Sequence, residues 1–127
     1  LPQPEQQSAS SLIEIVGPGG IVAGPENVDF SVSVMTTKVR SVNPRSAYLT
    51  GRHVGEEFRS DERLILSRGL ETGRSEYGTE SFEKALRVLS PDAVCLKDTK
   101  EQEVAEVLKN VGYKEIGNDG FCRMWVE

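Results

Sequence analysis

The stretch from Thr79 to Val126 alternates helical and strand patterns so regularly that it restricts the fold to a few arrangements. One amphipathic helix is predicted over Thr79–Leu89, and a second begins after Asp98 and ends near Gly112, because apolar residues recur at every third or fourth position in both. A short apolar strand, Ala93–Leu96, separates them, and a strand–turn–strand hairpin follows the second helix. Together with the strands predicted before this stretch, this order predicts an α+β domain.

Four strands are predicted before this stretch. The clearest is Val28–Val34, where apolar residues alternate with aspartate and serine, the period of a strand with one solvent-facing side. Leu12–Val16 and Ala47–Thr50 are short apolar runs of strand type. Arg63–Ser67 fits either a strand or a short helical piece, because periodicity cannot decide over so few residues.

These elements predict one domain, since a chain of 127 residues fits a single core. The domain is expected to cover residues 11–127, with a mixed or mainly antiparallel sheet and two helices packed on one face. Residues 1–10 are rich in Gln, Ser and Pro and are expected to form a flexible N-terminal segment. The Gly-Pro-Gly-Gly run at 17–20 lacks the lysine and serine of a phosphate-binding loop, so it is interpreted as a turn.

The charge of the chain is unevenly distributed, although its net value is −5. Residues 38–74 carry eight basic residues against five acidic ones, whereas the segments on either side are both acidic. Nucleic acid is a disfavoured partner for an acidic protein, because phosphate contacts supply most of the non-specific affinity. No apolar run approaches the roughly 18 residues that a membrane span needs, so neither a transmembrane helix nor a membrane partner is predicted.

Arginine supplies almost all of the positive charge in residues 38–74, where Lys38 is the only lysine. The planar guanidinium binds carboxylates and phosphates through paired hydrogen bonds that lysine cannot form. A Thr-Gly-Arg sequence occurs twice, at 50–52 and 72–74. Either the two copies form similar turns that present a paired site, or they only reflect repeated turn chemistry. The candidate ligand-binding residues are four arginines and the only histidine of the chain: Arg45, Arg52, His53, Arg68 and Arg74. Two interpretations stay open, since these arginines can pair with nearby acids of the same chain or bind an external partner.

Nothing in the sequence predicts catalysis, a metal site or a cofactor. No nucleophile elbow or oxyanion loop accompanies His53, and one histidine with two cysteines provides too few ligands for a zinc site. Cys95 and Cys122 both lie in apolar, strand-like runs. Three alternatives stay open for them: small buried residues, a disulfide between neighbouring strands, or a reactive thiol pair.

The section from Pro91 to Val126 resembles the closing part of acetyltransferase-superfamily domains in its strand, helix, Gly-Tyr pair and hairpin. The resemblance implies an acyl-CoA-type substrate. The pyrophosphate loop of that family, Arg/Gln-x-x-Gly-x-Gly/Ala, is not matched by Ser67–Gly73, so the chain is not assigned to the family. A small enzyme acting on an anionic or acyl-CoA-type substrate is therefore the alternative prediction.

The favoured prediction is a non-enzymatic interaction or assembly domain. Its arginine-rich segment, about residues 40–74, would dock an acidic protein surface or a phosphate-bearing ligand. This prediction depends on the local positive charge and on the preference for arginine over lysine. An exposed edge strand and oppositely charged segments would also permit a homo-oligomer.

Overall fold

A computed structural model of the chain describes residues 3–42 and 61–127, with the backbone alone at Asp61. The helices in these ranges are α1 (Pro4–Val16), α2 (Glu26–Met35), α3 (Asp61–Thr72), α4 (Thr79–Leu89) and α5 (Glu103–Val111). The strands are β1 (Ile21–Ala23), β2 (Arg40–Ser41), β3 (Ala93–Lys97), β4 (Lys114–Asn118) and β5 (Cys122–Val126). The predicted α+β class is confirmed. Within the same ranges, no helix has the length and hydrophobicity needed to cross a membrane.

The five strands form one sheet in the order β2-β1-β3-β5-β4. β1 runs parallel to β2 and to β3, whereas β5 runs antiparallel to both β3 and β4. The sheet is therefore mixed, as expected. The predicted strand–helix–strand unit at 93–116 is a parallel crossover, but β3 and β4 are not neighbours because β5 lies between them.

Helices cover both faces of the sheet. Alternate residues of β3 belong to different apolar clusters: Val94 and Leu96 pack with α3, α4 and α5, whereas Ala93 and Cys95 pack with α1 and α2. In a strand, successive side chains point to opposite faces, so these two clusters lie on opposite sides of the sheet. The described helices therefore number two on one face and three on the other. The two helices that the sequence predicted, α4 and α5, share a face with α3, whereas α1 and α2, which were not predicted, cover the other face.

The first helix, α1, corrects two predictions. Residues 4–10, expected to be flexible, are helical because Pro4 suits the first helical position and Gln6 accepts the backbone N–H of Gln3 at 2.9 Å. Residues 12–16, expected to be a strand, continue the same helix. The stripe formed by Ala9 and Leu12, both fully buried, anchors α1 to the sheet.

The second helix, α2, occupies the stretch that looked most like a strand. Val28 and Val32 are fully buried, but Val34 is 68% exposed, which a strand with a buried valine face would not allow. A spacing of four residues places Val28 and Val32 on one helical face. The alternation of apolar and polar residues stops at Met35, where the helix also ends.

The remaining predictions fare differently along the chain. Arg63–Ser67, left open between strand and helix, lies within α3. The predicted strand Ala47–Thr50 lies outside the described residues. The elements from Thr79 onwards agree with prediction to within a few residues, and the turn at 17–20 is present, with a backbone hydrogen bond of 2.7 Å from Gly19 N to Lys38 O.

Candidate functional site

The three parallel strands end at the same edge of the sheet, which we call the carboxyl edge. The chain leaves β1 at Gly24, β2 at Val42 and β3 at Asp98. The connection from β1 to β2 passes through α2 on one face, and the connection from β2 to β3 includes α3 and α4 on the other. Sheets of this kind bind ligands outside the carboxyl ends of strands whose connections leave to opposite sides. The carboxyl edge is therefore where a site is expected.

Both ends of helix α3 contact segments that follow the carboxyl ends of strands. At its start, Arg63 Nη1 donates a hydrogen bond of 2.9 Å to the carbonyl oxygen of Val42, just beyond β2. At its end, the carbonyl oxygen of Gly73 accepts a hydrogen bond of 3.0 Å from Val104 N in α5, the helix that follows β3. The two ends of the helix are therefore tied to the carboxyl edge, while its apolar side packs on one face of the sheet.

Two of the five predicted site residues lie in the described part of the chain, and Arg45, Arg52 and His53 lie outside it. Arg68 projects from α3 and forms an ion pair of 3.3 Å between Nη2 and Glu76 Oε2. Its side chain is still 54% exposed, so a further partner can reach it from solvent. Arg74 follows the end of α3 and is also exposed.

The Glu103 carboxylate lies beside the loop that carries Arg74. It accepts hydrogen bonds from the hydroxyl and from the backbone N–H of Ser75, the latter at 2.7 Å. The Ser75 hydroxyl, and then its backbone N–H, hold the pKa of Glu103 below its ordinary value, and the charge of Arg74 lowers the pKa further. Glu103 therefore remains ionised at neutral pH and orders the loop beside Arg74.

Acids of the same chain thus lie close to both described candidate arginines, in line with the internal-pairing interpretation. Glu71, which also lies on α3, forms an ion pair of 3.4 Å with Lys97 instead. Ion pairs this exposed contribute little to stability, about 0–1 kcal/mol, so an external acid can displace them at small cost.

The second Thr-Gly-Arg sequence is the end of α3. Gly73 has a φ of +78°, and a Cβ atom added there would lie 2.6 Å from Thr99 Oγ1. The Thr72 hydroxyl donates to Arg68 O at 3.0 Å and accepts from Arg74 N at 3.2 Å. Helix termination, with a glycine in the left-handed region, explains this copy of the sequence.

Gly73→Ala is expected to lower the free energy of unfolding by about 2 kcal/mol, measured by urea denaturation. About half comes from the positive φ and the rest from crowding against Thr99. Gly19→Ala is the matched control, because Gly19 has a similar φ of +86° but has open space around its Cβ position. Equal losses in the two variants would show that the contact with Thr99 contributes nothing.

In the described part of the chain, another arginine with two hydrogen bonds to one carboxylate lies elsewhere and was not found from the sequence. Arg123 on β5 binds Glu115 on β4 through two hydrogen bonds of 2.8 and 3.0 Å, and its guanidinium lies 5.3 Å from the ring centre of Trp125. The hydrogen bond from Arg123 holds the pKa of Glu115 below its ordinary value. The Arg123 side chain is only 13% exposed, so it stabilises the hairpin and offers little surface to a partner. The predicted hairpin brings these strands together, but their pairing depends on a register shift between Glu115 and Gly117.

Two further observations limit what the site can do. In residues 3–42 and 61–127, no group of three or more His, Cys, Asp or Glu side chains could hold a metal ion. Ser67–Gly73, compared above with a pyrophosphate loop, forms the last turns and the end of α3 and presents no open glycine loop.

Comparison of the chain with protein-family models, with curated proteins and with solved structures gives no match. The functional argument therefore depends on the geometry and charge of the carboxyl edge.

Proposed function

We propose that this chain is a binding domain that docks an acidic protein surface or a phosphate-bearing group at its carboxyl edge. The observation that carries the proposal is the position of Arg68 and Arg74. Both are exposed, and they lie on α3 and its C-terminal loop, whose two ends contact segments that follow strands at the carboxyl edge. Arg45, Arg52 and His53 belong to the same proposal on sequence grounds alone.

The energetics support exchange of partners at these arginines. Glu76 meets Arg68 through one contact of 3.3 Å, whereas a phosphate or a carboxylate can engage a guanidinium through two parallel hydrogen bonds. A bound anion would gain this second hydrogen bond and lose only a weak surface pair. The enzyme alternative gains no support from the described residues, because Ser67–Gly73 is mostly helical.

The test measures binding of two fluorescent peptides, hexaglutamate and a phosphoserine peptide, by anisotropy at low and moderate salt. Arg68→Ala and Arg74→Ala are each expected to weaken binding about fivefold, the effect of losing one exposed charge-assisted contact of about 1 kcal/mol. Binding should also weaken as salt rises, since exposed charges are screened.

Arg87→Ala is the matched control. Arg87 on α4 has a side chain 57% exposed and an ion pair of 3.1 Å with Glu83, so its environment closely resembles that of Arg68. The control variant should bind both peptides as the unmodified protein does. If Arg87→Ala weakens binding as much as Arg68→Ala, the effect is one of net charge and the carboxyl edge is not the site.

A further inference from the structure

The two cysteines form a cross-link that the binding proposal does not use. Cys95 on β3 and Cys122 on β5 are joined by a disulfide, with Cα atoms 5.2 Å apart, a separation typical of disulfides. Of the three alternatives left open for the cysteines, the structure supports the disulfide. The bond ties the central strand β3 to the C-terminal hairpin.

Helix α1 helps to shield this disulfide from solvent. Both cysteines have no exposed surface, and they share an apolar cluster with Ala9 and Leu12 of α1 and with Val28 and Val32 of α2. Thiol–disulfide exchange requires a thiolate to reach one of the two sulfur atoms. A small thiol therefore cannot react with the disulfide until this cluster opens.

A hydrogen-bonded latch holds α1 against the turn next to Cys122. The Ser8 hydroxyl donates to Asp119 Oδ2 at 2.7 Å, and Asp119 Oδ1 accepts the backbone N–H groups of Phe121 and Cys122 at 2.9 and 2.8 Å. Burial works to raise the pKa of Asp119, but the hydrogen bonds from Cys122, Ser8 and Phe121 outweigh it and hold the pKa below its ordinary value. The latch thus joins α1 to the loop that positions one of the two sulfur atoms.

We propose that α1 is a removable cover, and that the disulfide exchanges with thiols only after the latch between Ser8 and Asp119 opens and α1 lifts from the sheet. With dithiothreitol as reductant, its thiolate attacks one sulfur and releases the other cysteine as a thiolate. The second thiol of dithiothreitol then closes a ring and frees the first cysteine. The protein gains two electrons and two protons, and dithiothreitol becomes a cyclic disulfide.

The test follows reduction of the folded, oxidised full chain in excess dithiothreitol, with acid quenching, alkylation and mass spectrometry. Ser8→Ala is expected to be reduced about fivefold faster than the unmodified protein, the change in an opening equilibrium that follows loss of one hydrogen bond. Ser11→Ala is the matched control on the same helix, because the Ser11 hydroxyl donates only to Gln7 O, one turn earlier. It should be reduced at the unmodified rate.

Three results would overturn the proposal. Reduction of the unmodified folded protein as fast as of a denatured sample would show that α1 shields nothing. Equal rates for Ser8→Ala and Ser11→Ala would show that the latch does not control access. A reduction rate that rises with urea concentration as steeply as the global unfolding equilibrium would show that the disulfide reacts only after the whole domain unfolds. Hydrogen exchange provides a second test of the opening, because the amides of α1 should exchange faster than those of β3.

Discussion

Replacing Cys95 and Cys122 together with alanine is expected to lower the free energy of unfolding by about 3.5 kcal/mol. The disulfide joins residues 27 apart, and closing a loop of that size restricts the unfolded chain by about this free energy in the chain-entropy model. For a domain of this length the melting temperature should fall by about 10–15 °C. Thermal and urea denaturation, followed by circular dichroism, measure both quantities.

The control separates the bond from the packing of the sulfur atoms. Unmodified protein, unfolded and then refolded in dithiothreitol, keeps both sulfur atoms but lacks the bond. It should lose most of the stability that the double alanine variant loses. A reduced protein as stable as the oxidised one would contradict the expected role of the cross-link.

Trp125→Ala should destabilise the domain by about 4 kcal/mol, the range for removing a large aromatic ring from a core. Trp125 is 1% exposed and packs in the apolar cluster under α3, α4 and α5. Its indole Nε1 is buried and has no hydrogen-bond partner within the described residues. A buried donor in this condition costs about 1–3 kcal/mol.

Trp125→Phe is the informative companion variant. It loses some packing volume but removes the unpartnered N–H and keeps an aromatic face for Arg123, whose guanidinium lies 5.3 Å from the ring centre of Trp125. The two changes should nearly offset, which leaves a loss of about 1 kcal/mol or less in urea denaturation. A loss as large as that of the alanine variant would mean that the indole N–H is satisfied in solution.

The C-terminal half was predictable because its helices fit a single period and its turn residues mark the hairpin. In α4 and α5, apolar residues recur only at helical spacing, and Gly112 occupies the left-handed position that ends α5. The Gly-Asn-Asp-Gly sequence at 117–120 marks the hairpin between β4 and β5, although every residue of β4 is exposed and shows no period. Local sequence and tertiary packing agree throughout this half, so local rules are sufficient there.

The N-terminal half was mispredicted because the same apolar residues fit both the strand period and the helix period. Val28 and Val32 are four residues apart, which is two repeats of a strand and about one turn of a helix, so alternation alone could not distinguish the two. The sheet decides the matter, because α2 can bury those two valines against β1 while Val34 remains in solvent. The short strand β1, between β2 and β3, was missed because it fits no period at all. Its three residues lie between glycines and are too few to show one.

The candidate site was only half predictable. The arginine preference selected Arg68 and Arg74 from composition, but their acidic neighbours depend on how the chain folds back. Ser75 meets Glu103 across 28 residues, and that contact forms only because the end of α3 docks against the start of α5. Local patterns do not encode a docking of this kind.

The strand order has a consequence for how the domain is made. β5 follows all the other strands in the chain, yet it occupies the position between β3 and β4. Until β5 has been synthesised, these two strands have no common partner and the edge of β3 stays open. Cys122 begins β5, so the disulfide cannot form before this strand has been synthesised. Insertion of β5 beside β3 then brings the two cysteines within bonding distance, so the cross-link holds β5 in its place between β3 and β4.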